Sequence, residues 1–570
     1  MNTPGTLNFA NLGTQAAGST FVNGTPGTPG KIEMSQFVPA TAPDGTNFAL
    51  STHVTSDKVT LGTIAATGTS DLNYHYTFGP AYNYLDPQSV LSIDTNVGAS
   101  GAASDRLIVS GSATGKTAIM LWDTSTIPGK LNLTGITLAV VNGASSNAFY
   151  LYAQENPAHF GGPLYDEMEP GVGPMGAIKK GIFFFPLLQD TSANGAQGIS
   201  VGGSRYALFG LPDIEAFQLP IAITASQSIF YETAAAWNDR QDELRNWIRR
   251  STIRSANIPA CDPRLTTKAP CISPPKGLDS GTIGPAVWAK AIGSWTNRNA
   301  SENLGFIVPA ASALSLDLGY RQNTFGIIGG IDVGHEGVFS RSGSDAIVVG
   351  LMGGYLNSNL NFKSSPTSFN FTGGSVGASA SYINQRWFID GLVKADFLNM
   401  TMNFPTLAPF GIGGQSSQAN SFGGIANAGY RWDNAPWYLE PIITLTYVRT
   451  KIDSLSLGGI TADFGDGGSA RGAAGARAGV MAANSGQWEI DGSVTAKIWD
   501  QFWTQNGVTI QSDGTDLTLE DHYAKAFGEV VGQINVTNKF DGWAAFINTG
   551  VKFNSDFTTI TAKGGARYQW

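Results

Sequence analysis

The residues with obvious chemical potential in this sequence are few and scattered. Gly111-Ser112-Ala113-Thr114-Gly115-Lys116-Thr117 approaches the loop whose backbone N–H groups and lysine cradle nucleotide phosphates. That loop needs four residues between its glycines and this one has three, so the stretch reads as a turn between strands. Gly277-Leu278-Asp279-Ser280-Gly281 sets a serine between glycines in the manner of a serine-protease nucleophile, but its position, between a helix and a run of strands, reads as a loop. The histidines, His53, His75, His159, His335 and His522, form no H-x-x-x-H or H-x-C grouping, which supports neither a zinc cluster nor a catalytic triad. No catalytic residue, no cofactor and no metal site is expected.

The elements that would have to position any chemistry are unusual in composition. Of 570 residues, 71 are Gly, 14% are charged and 11% aromatic, whereas a soluble protein averages about 25% charged residues and about 7% Gly. An apolar content of 42% excludes global disorder. A formal charge of −9 excludes nucleic acid as partner, since a phosphate footprint needs clustered Lys and Arg. No window approaches the ~18 consecutive apolar residues of a membrane helix. A closed β-barrel spans lipid with a weaker signal, segments of about ten alternating residues, and remains open. The opening Met1-Asn2-Thr3-Pro4-Gly5 has neither the basic segment nor the apolar core of a secretory signal, so export would require a signal outside this sequence.

Residues 1–100 hold Lys31, Lys58 and a few acids in a Thr, Gly, Asn, Ala and Ser background. From Val90 short strands with polar turns strengthen, through Leu107, Val109, Ile119, Leu121, Leu131, Leu133, Ile136, Leu138 and Val140, as in a β-solenoid whose rungs cover one another. At Ser226 the texture changes. Phe230, Ala234, Trp237, Leu244 and Ile248 recur at helical spacings among charges, with Glu232 in the first turn and Arg245 and Arg249 in the last, where the macrodipole favours them. A helix from Phe230 to Ser251 would span ~33 Å, the thickness of a bilayer core.

From Pro285 to Trp570 strand follows strand. Trp387, Ile389, Gly391, Val393, Ala395 and Phe397 alternate with Phe388, Asp390, Leu392, Lys394 and Asp396. Trp488, Ile490, Gly492, Val494, Ala496 and Ile498 alternate with Glu489, Asp491, Ser493, Thr495 and Lys497. About twelve such segments, with short turns such as Asn384-Gln385 alternating with long loops such as 402–416 and 503–520, make the outer-membrane barrel pattern. A large soluble β-sandwich is the alternative, and it leaves strict alternation up to a terminal aromatic unexplained.

At this point the sequence resembles the autotransporter (type V secretion) family of Gram-negative bacteria. The resemblance rests on the helix, on Val287-Trp288-Ala289-Lys290-Ala291, Gly353-Gly354-Tyr355, Gly424 to Trp432 and the closing Gly564-Gly565-Ala566-Arg567-Tyr568-Gln569-Trp570, and on Asp105 to Gly115 as a solenoid end. Family members mostly close on Phe, where this chain has Trp570. The resemblance implies an all-β chain with a β-solenoid-like passenger over 1–225 ending in a capping or autochaperone-like unit, and a pore-threading α-helix over 226–253. A Cys/Pro linker over 254–284 and a 12-stranded antiparallel transmembrane barrel over 285–570 would follow. Trp237 and Leu244 would touch the barrel wall or the solenoid base, and Arg245 or Arg249 would lie near acidic lumen residues such as Asp390, Asp396 or Glu489. The acids and arginines of the helix would pair with lumen charges such as Lys290, Asp390, Lys394, Glu489, Lys497 and Arg567. Tyr568 and Trp570 would form the C-terminal signal read by the barrel-assembly machinery. Outer-membrane lipid and an unidentified surface ligand complete the implied partners. In an exported chain Cys261 and Cys271 are candidates for a disulfide, with two free thiols the alternative. Some members cut themselves in the pore helix at an Asn beside carboxylates. Trp237-Asn238-Asp239 offers such an Asn, but its spacing to Leu244-Arg245 departs from theirs, and Asn238 reads as an ordinary polar-face residue. Against self-translocation and surface display stands a porin-like channel with an N-terminal plug or periplasmic domain.

Overall fold

The computed structural model describes residues 6–8, 20–23, 30–33, 37–41, 47–51, 58–61, 63–66, 89–97, 104–109, 112–114, 117–123, 129–145, 148–151, 166–168, 177–191, 203–257 and 282–570, the last apart from 340–344, 385, 486–487, 513, 523–524 and 539–540. Cys261, Cys271, the Gly277–Gly281 stretch, His53, His75 and His159 lie outside the described residues, as does the side chain of Arg249.

The C-terminal half is a closed barrel of twelve antiparallel strands. They are β1 (Thr282–Arg298), β2 (Tyr320–Glu336), β3 (Asp345–Phe362), β4 (Ser368–Asn384), β5 (Trp387–Asn403), β6 (Gly414–Tyr430), β7 (Trp437–Ile452), β8 (Gly467–Ser485), β9 (Trp488–Gln505), β10 (Ala526–Asn538), β11 (Trp543–Phe553) and β12 (Phe557–Gln569). Each strand pairs with its sequence neighbour, and β1 closes on β12 from Ala286↔Gln569 to Arg298↔Phe557, so every barrel strand has two partners. Closure is what removes the unpaired edge that lipid would not tolerate.

Successive side chains point to opposite faces of a strand, and the sequence alternation therefore sorts residues between outside and lumen. Val393 is 56% exposed while its lumen-side neighbours Asp390 and Lys394 are buried. Trp387, Tyr430, Trp432, Trp437, Trp488, Trp543, Tyr568 and Trp570 gather at the short-turn end, with ring pairs such as Trp387–Tyr430 at 4.8 Å and Trp543–Tyr568 at 4.7 Å. Trp295 against Phe325 (5.7 Å) and Tyr447 against Trp503 (6.0 Å) belong to the opposite end. Two aromatic girdles bounding an apolar band define a membrane barrel. Val393→Arg, mid-band, should cost about 2–4 kcal/mol, and Ile490→Arg, two residues from the girdle residue Trp488, about 0–1 kcal/mol. Urea unfolding of both variants checks this, and equal losses at the two positions would contradict the band.

Among the described residues one α-helix, α1 (Ile214–Asn257), precedes the barrel. It begins at Ile214, well before the expected 226, because residues 214–225 carry no amphipathic stripe. Ala216, Leu219, Ile221, Ala222, Ile223 and Ala225 are all fully buried, so this part is apolar nearly all round and hides its period. The Asp213 carboxylate accepts the Ile214 N–H at 2.7 Å, and Lys179 bridges Asp213 (2.6 Å) and Glu215 (2.9 Å) at this end. At 1.5 Å per residue the helix is about 66 Å long, twice the core of a bilayer.

Most of the described N-terminal strands wind as a solenoid, while Phe37–Thr41 and Asn47–Ser51 form a separate antiparallel hairpin. Arg106–Val109, Ala113–Thr114 and Thr117–Asp123 follow one another around one coil, and each pairs in parallel with a strand of the preceding coil, Lys58–Leu61, Thr63–Ala66 and Ser89–Thr95. The would-be phosphate loop thus contributes Ala113–Thr114 to a solenoid face. At Asn132–Val141 the pairing changes. This strand pairs in parallel with Arg106–Val109 on one side and antiparallel with Ser204–Pro212 on the other, and Phe183–Asp190, Ala177–Lys180 and Asp166–Met168 extend the antiparallel sheet. Its buried Phe184, Phe185, Leu208 and Leu211 join Phe217 of α1 and the loop residues Leu304, Val308, Phe404, Leu457 and Ile510 in one apolar cluster. The end of the solenoid, the start of the helix and the long-loop end of the barrel therefore share a core.

Candidate functional site

The lumen is occupied by α1. Phe230, Tyr231, Ala234 and Trp237 cluster with Trp288, Ile292, Ile328, Met352, Leu392, Ile425 and Val448 of the wall, and lower down Leu244 and Ile248 cluster with Ile283, Val348, Ile383, Phe388 and Ile442. Gly423 of β6 faces this helix. A Cβ there would stand 3.0 Å from Phe230 Cζ and 2.1 Å from the Tyr447 carbonyl oxygen, so only glycine allows the approach.

Around these apolar contacts runs a layer of buried charge. Asp239 Oδ2 receives Lys290 Nζ at 3.2 Å and Lys563 Nζ at 3.0 Å. Glu232 pairs with Lys552, and Glu243 takes Arg567 at 2.9 Å and Arg240 at 2.8 Å. Arg240 continues to Asp332 at 2.8 Å. Arg245 binds Asp242 of its own helix and Asp390 of the wall, stacking on Phe388 with its guanidinium carbon 3.8 Å from the ring centre. Arg477 joins Asp242 (3.0 Å) to Glu440. Neutral side chains complete the seam: Gln241 to Ser381 at 2.9 Å, Asn246 to Asp491 at 2.8 Å, Tyr231 to Ser469 at 2.8 Å, and Asn427 Nδ2 to Asn238 Oδ1 at 2.8 Å. The arrangement is sorted by sign. Helix carboxylates at Glu232, Asp239 and Glu243 face cations of β11, β12 and β1, while Arg240 and Arg245 face carboxylates of β2 and β5.

Each lumen residue singled out in the sequence is buried on the inner face. Lys290, Asp390 and Arg567 touch the helix directly. Lys394 pairs with Asp396 on its own strand at 2.7 Å and lies over the Phe230 ring at 3.8 Å. Lys497 donates to Thr444 Oγ1 at 3.1 Å rather than to the helix. Of the acids considered for Arg245, Asp390 is its wall partner. Asp239, Asp242, Glu243, Arg240, Lys563, Lys552, Arg477 and Glu440 were not among the named lumen-pairing candidates. The last four share the inward phase of their strands, and that alternation is the signal that would have found them. Tyr568 and Trp570 lie in the short-turn girdle, where the Trp570 N–H donates to Pro285 O at 3.4 Å. His335 lies at the short-turn end of β2 and His522 in the loop before β10 at the opposite end.

Beyond the membrane band, in that same loop, Asp521 binds Arg298 through both oxygens at 2.8 Å. Burial works to raise this carboxyl, but the guanidinium outweighs it and holds it below the usual carboxylate range. A carboxyl that binds protons more weakly when folded stabilises the fold above its unfolded value, about pH 4, and loses that contribution as pH falls through the lower folded value. Melting curves of the wild type and Asp521→Asn should therefore differ at neutral pH and converge in acid. A gap that does not narrow as pH falls below about 4 would contradict the pairing.

A closed, helix-filled barrel with two aromatic girdles is an outer-membrane protein. Residues 287–550 match the family model described as the autotransporter beta-domain, and the barrel is an autotransporter β-domain. Among solved structures, the chain is similar to the β domain of the Bordetella autotransporter BrkA (14% identity, 50% of this chain and 100% of that one, TM-score 0.36). It is also similar to the transport unit of AIDA-I from Escherichia coli (14%, 56% and 98%, 0.38) and the translocator domain of NalP from Neisseria meningitidis (12%, 60% and 99%, 0.35). No curated protein sequence matches the chain.

Proposed function

We propose that this chain is a self-translocating surface protein: the barrel carries residues 1–225 across the outer membrane and displays them, and α1 stays in the lumen as the tether. The observation behind this reading is the fit between helix and wall. A helix whose buried carboxylates and guanidiniums are each met by an opposite charge of the barrel is at rest there, and its N-terminal end emerges among the long loops beside the solenoid base. A porin-like channel would keep a polar, water-filled lumen. The autotransporter barrel fold is generally not catalytic, and we assign no reaction to the N-terminal region. Its short Thr- and Asn-rich rungs suit adhesion to a surface ligand. We read 258–281, between α1 and β1, as a linker returning to the barrel at the short-turn end, in place of the expected 254–284, and Tyr568 and Trp570 as the signal for the barrel-assembly machinery.

An epitope placed near Thr3 should be reached by antibody on intact cells. Deleting Trp570 should lower that signal together with the amount of heat-modifiable, folded barrel. An epitope reached only after the outer membrane is permeabilised would overturn display, and unchanged assembly without Trp570 would move the signal elsewhere.

A further inference from the structure

The outer surface of the barrel is not uniformly packed. Across β4 to β9 the lipid-facing side chains shrink to Ala378, Ala380, Gly391, Gly424, Ala426 and Ala470, and Val393, Leu445, Tyr447 and Phe502 wall an apolar groove of about 730 Å³. The registers Ala378↔Val393, Val393↔Gly424, Gly424↔Tyr447 and Tyr447↔Ala470 place it on one continuous row. Its depth follows from β7. Ten residues separate Trp437 of the short-turn girdle from Tyr447, which at ~3.3 Å per residue and ~40° tilt is about 25 Å, the height of the apolar band. Tyr447 therefore stands at the interface of the leaflet on the long-loop side, with the groove at acyl-chain depth beneath it.

Directly above lies a polar cluster on the same outward face. Arg449 and Lys451 follow Tyr447 at successive outward positions of β7, and Asn420, paired with Lys451, Gln418 on the same strand and Asn399, paired with Gln418, flank them; all point outward. Arg449 gives one Nη to Asp466, and both partners of that pair are more than half exposed. A guanidinium carries five N–H donors, so a phosphate at this level can be bound beside or in place of that carboxylate. Cations for phosphate, amides for sugar hydroxyls, and a broad groove for acyl chains select one chemistry together. We infer that this face binds a phosphorylated glycolipid of the outer leaflet, its phosphate on Arg449 and Lys451 and its acyl chains in the groove. The inference rests on the outward orientation of the long loops and is independent of what the N-terminal region does.

The test uses the purified full chain in detergent, titrated with lipid A or with phosphatidylglycerol and read by native mass spectrometry, each variant first shown to be folded by heat-modifiability. Wild type should retain lipid A well above phosphatidylglycerol. Arg449→Gln with Lys451→Gln removes two charge-assisted contacts and should weaken retention about tenfold or more. Ala426→Phe fills the groove without touching the cations and should weaken it independently. Equal retention of the two lipids, or lipid A binding unchanged in both variants, would overturn the site. Should either variant fail to fold, the other decides.

Discussion

Replacing Asp239 with Leu will destabilise the helix-filled barrel by about 3–5 kcal/mol, because it leaves two lysine ammoniums buried without their shared carboxylate. Lys290 and Lys563, on neighbouring strands, both reach Asp239 Oδ2, and both are buried in the wall. Neither can turn to bulk water while α1 fills the lumen. The wall residues gain nothing from a leucine, so the penalty is that of unpaired charge and not of lost packing. Two comparisons isolate this cause. Asp466→Asn breaks the exposed pair with Arg449 and should cost no more than about 1 kcal/mol. Asp239→Leu combined with Lys290→Met and Lys563→Met exchanges the buried cluster for apolar groups of similar size and should recover most of the loss. The midpoint of the heat-modifiability transition reads all of these. Wild-type stability in the single Asp239 variant would mean that the helix does not sit against β1 and β12.

The barrel was legible in the sequence because each strand has two environments of opposite polarity, and period-two alternation records them directly. Where the record blurs, the helix is the cause. Phe388, Leu392, Ile425 and Ile442 are apolar residues on the lumen face, which a water-filled barrel would make polar, and each packs in a cluster with α1 residues. The helix itself was legible only where its surroundings differ from side to side. Between Phe230 and Ile248 its charges meet charged wall and its apolar residues meet apolar wall, so the stripe shows. From Ile214 to Ala225 the cap and the loops enclose it on all sides, and Pro220 inside the run reads as a helix breaker. The pairing within the lumen was not legible. Alternation tells that Lys563 and Asp332 point inward, but which helix residue each meets depends on the rotation and depth of α1, and a single sequence holds no signal for either.

The long loop at 503–520 shows the same limit. Gly507–Ser512 and Thr515–Glu520 form a hairpin that joins Leu455–Leu457 and Ile460–Asp463 in a small sheet above the barrel rim. Its Val508, Ile510 and Leu519 are buried against the solenoid end. Their alternation is present in the sequence, but it is too short to separate an elaborated loop from a polar one.

Planar-bilayer conductance tests the central claim, that α1 closes the pore it threads. A helix with its side chains is about 10–12 Å wide, and here it is bound to the wall on several sides. The intact chain should therefore insert with little steady conductance. Deleting 226–253 removes Glu232, Asp239, Asp242, Glu243 and Arg245 with the backbone that carries them, and should open a large, steady, ohmic pore lined by Lys290, Lys563, Arg477 and Arg567. Steady large conductance from the intact chain, or a deletion variant as tight as the wild type, would contradict the account.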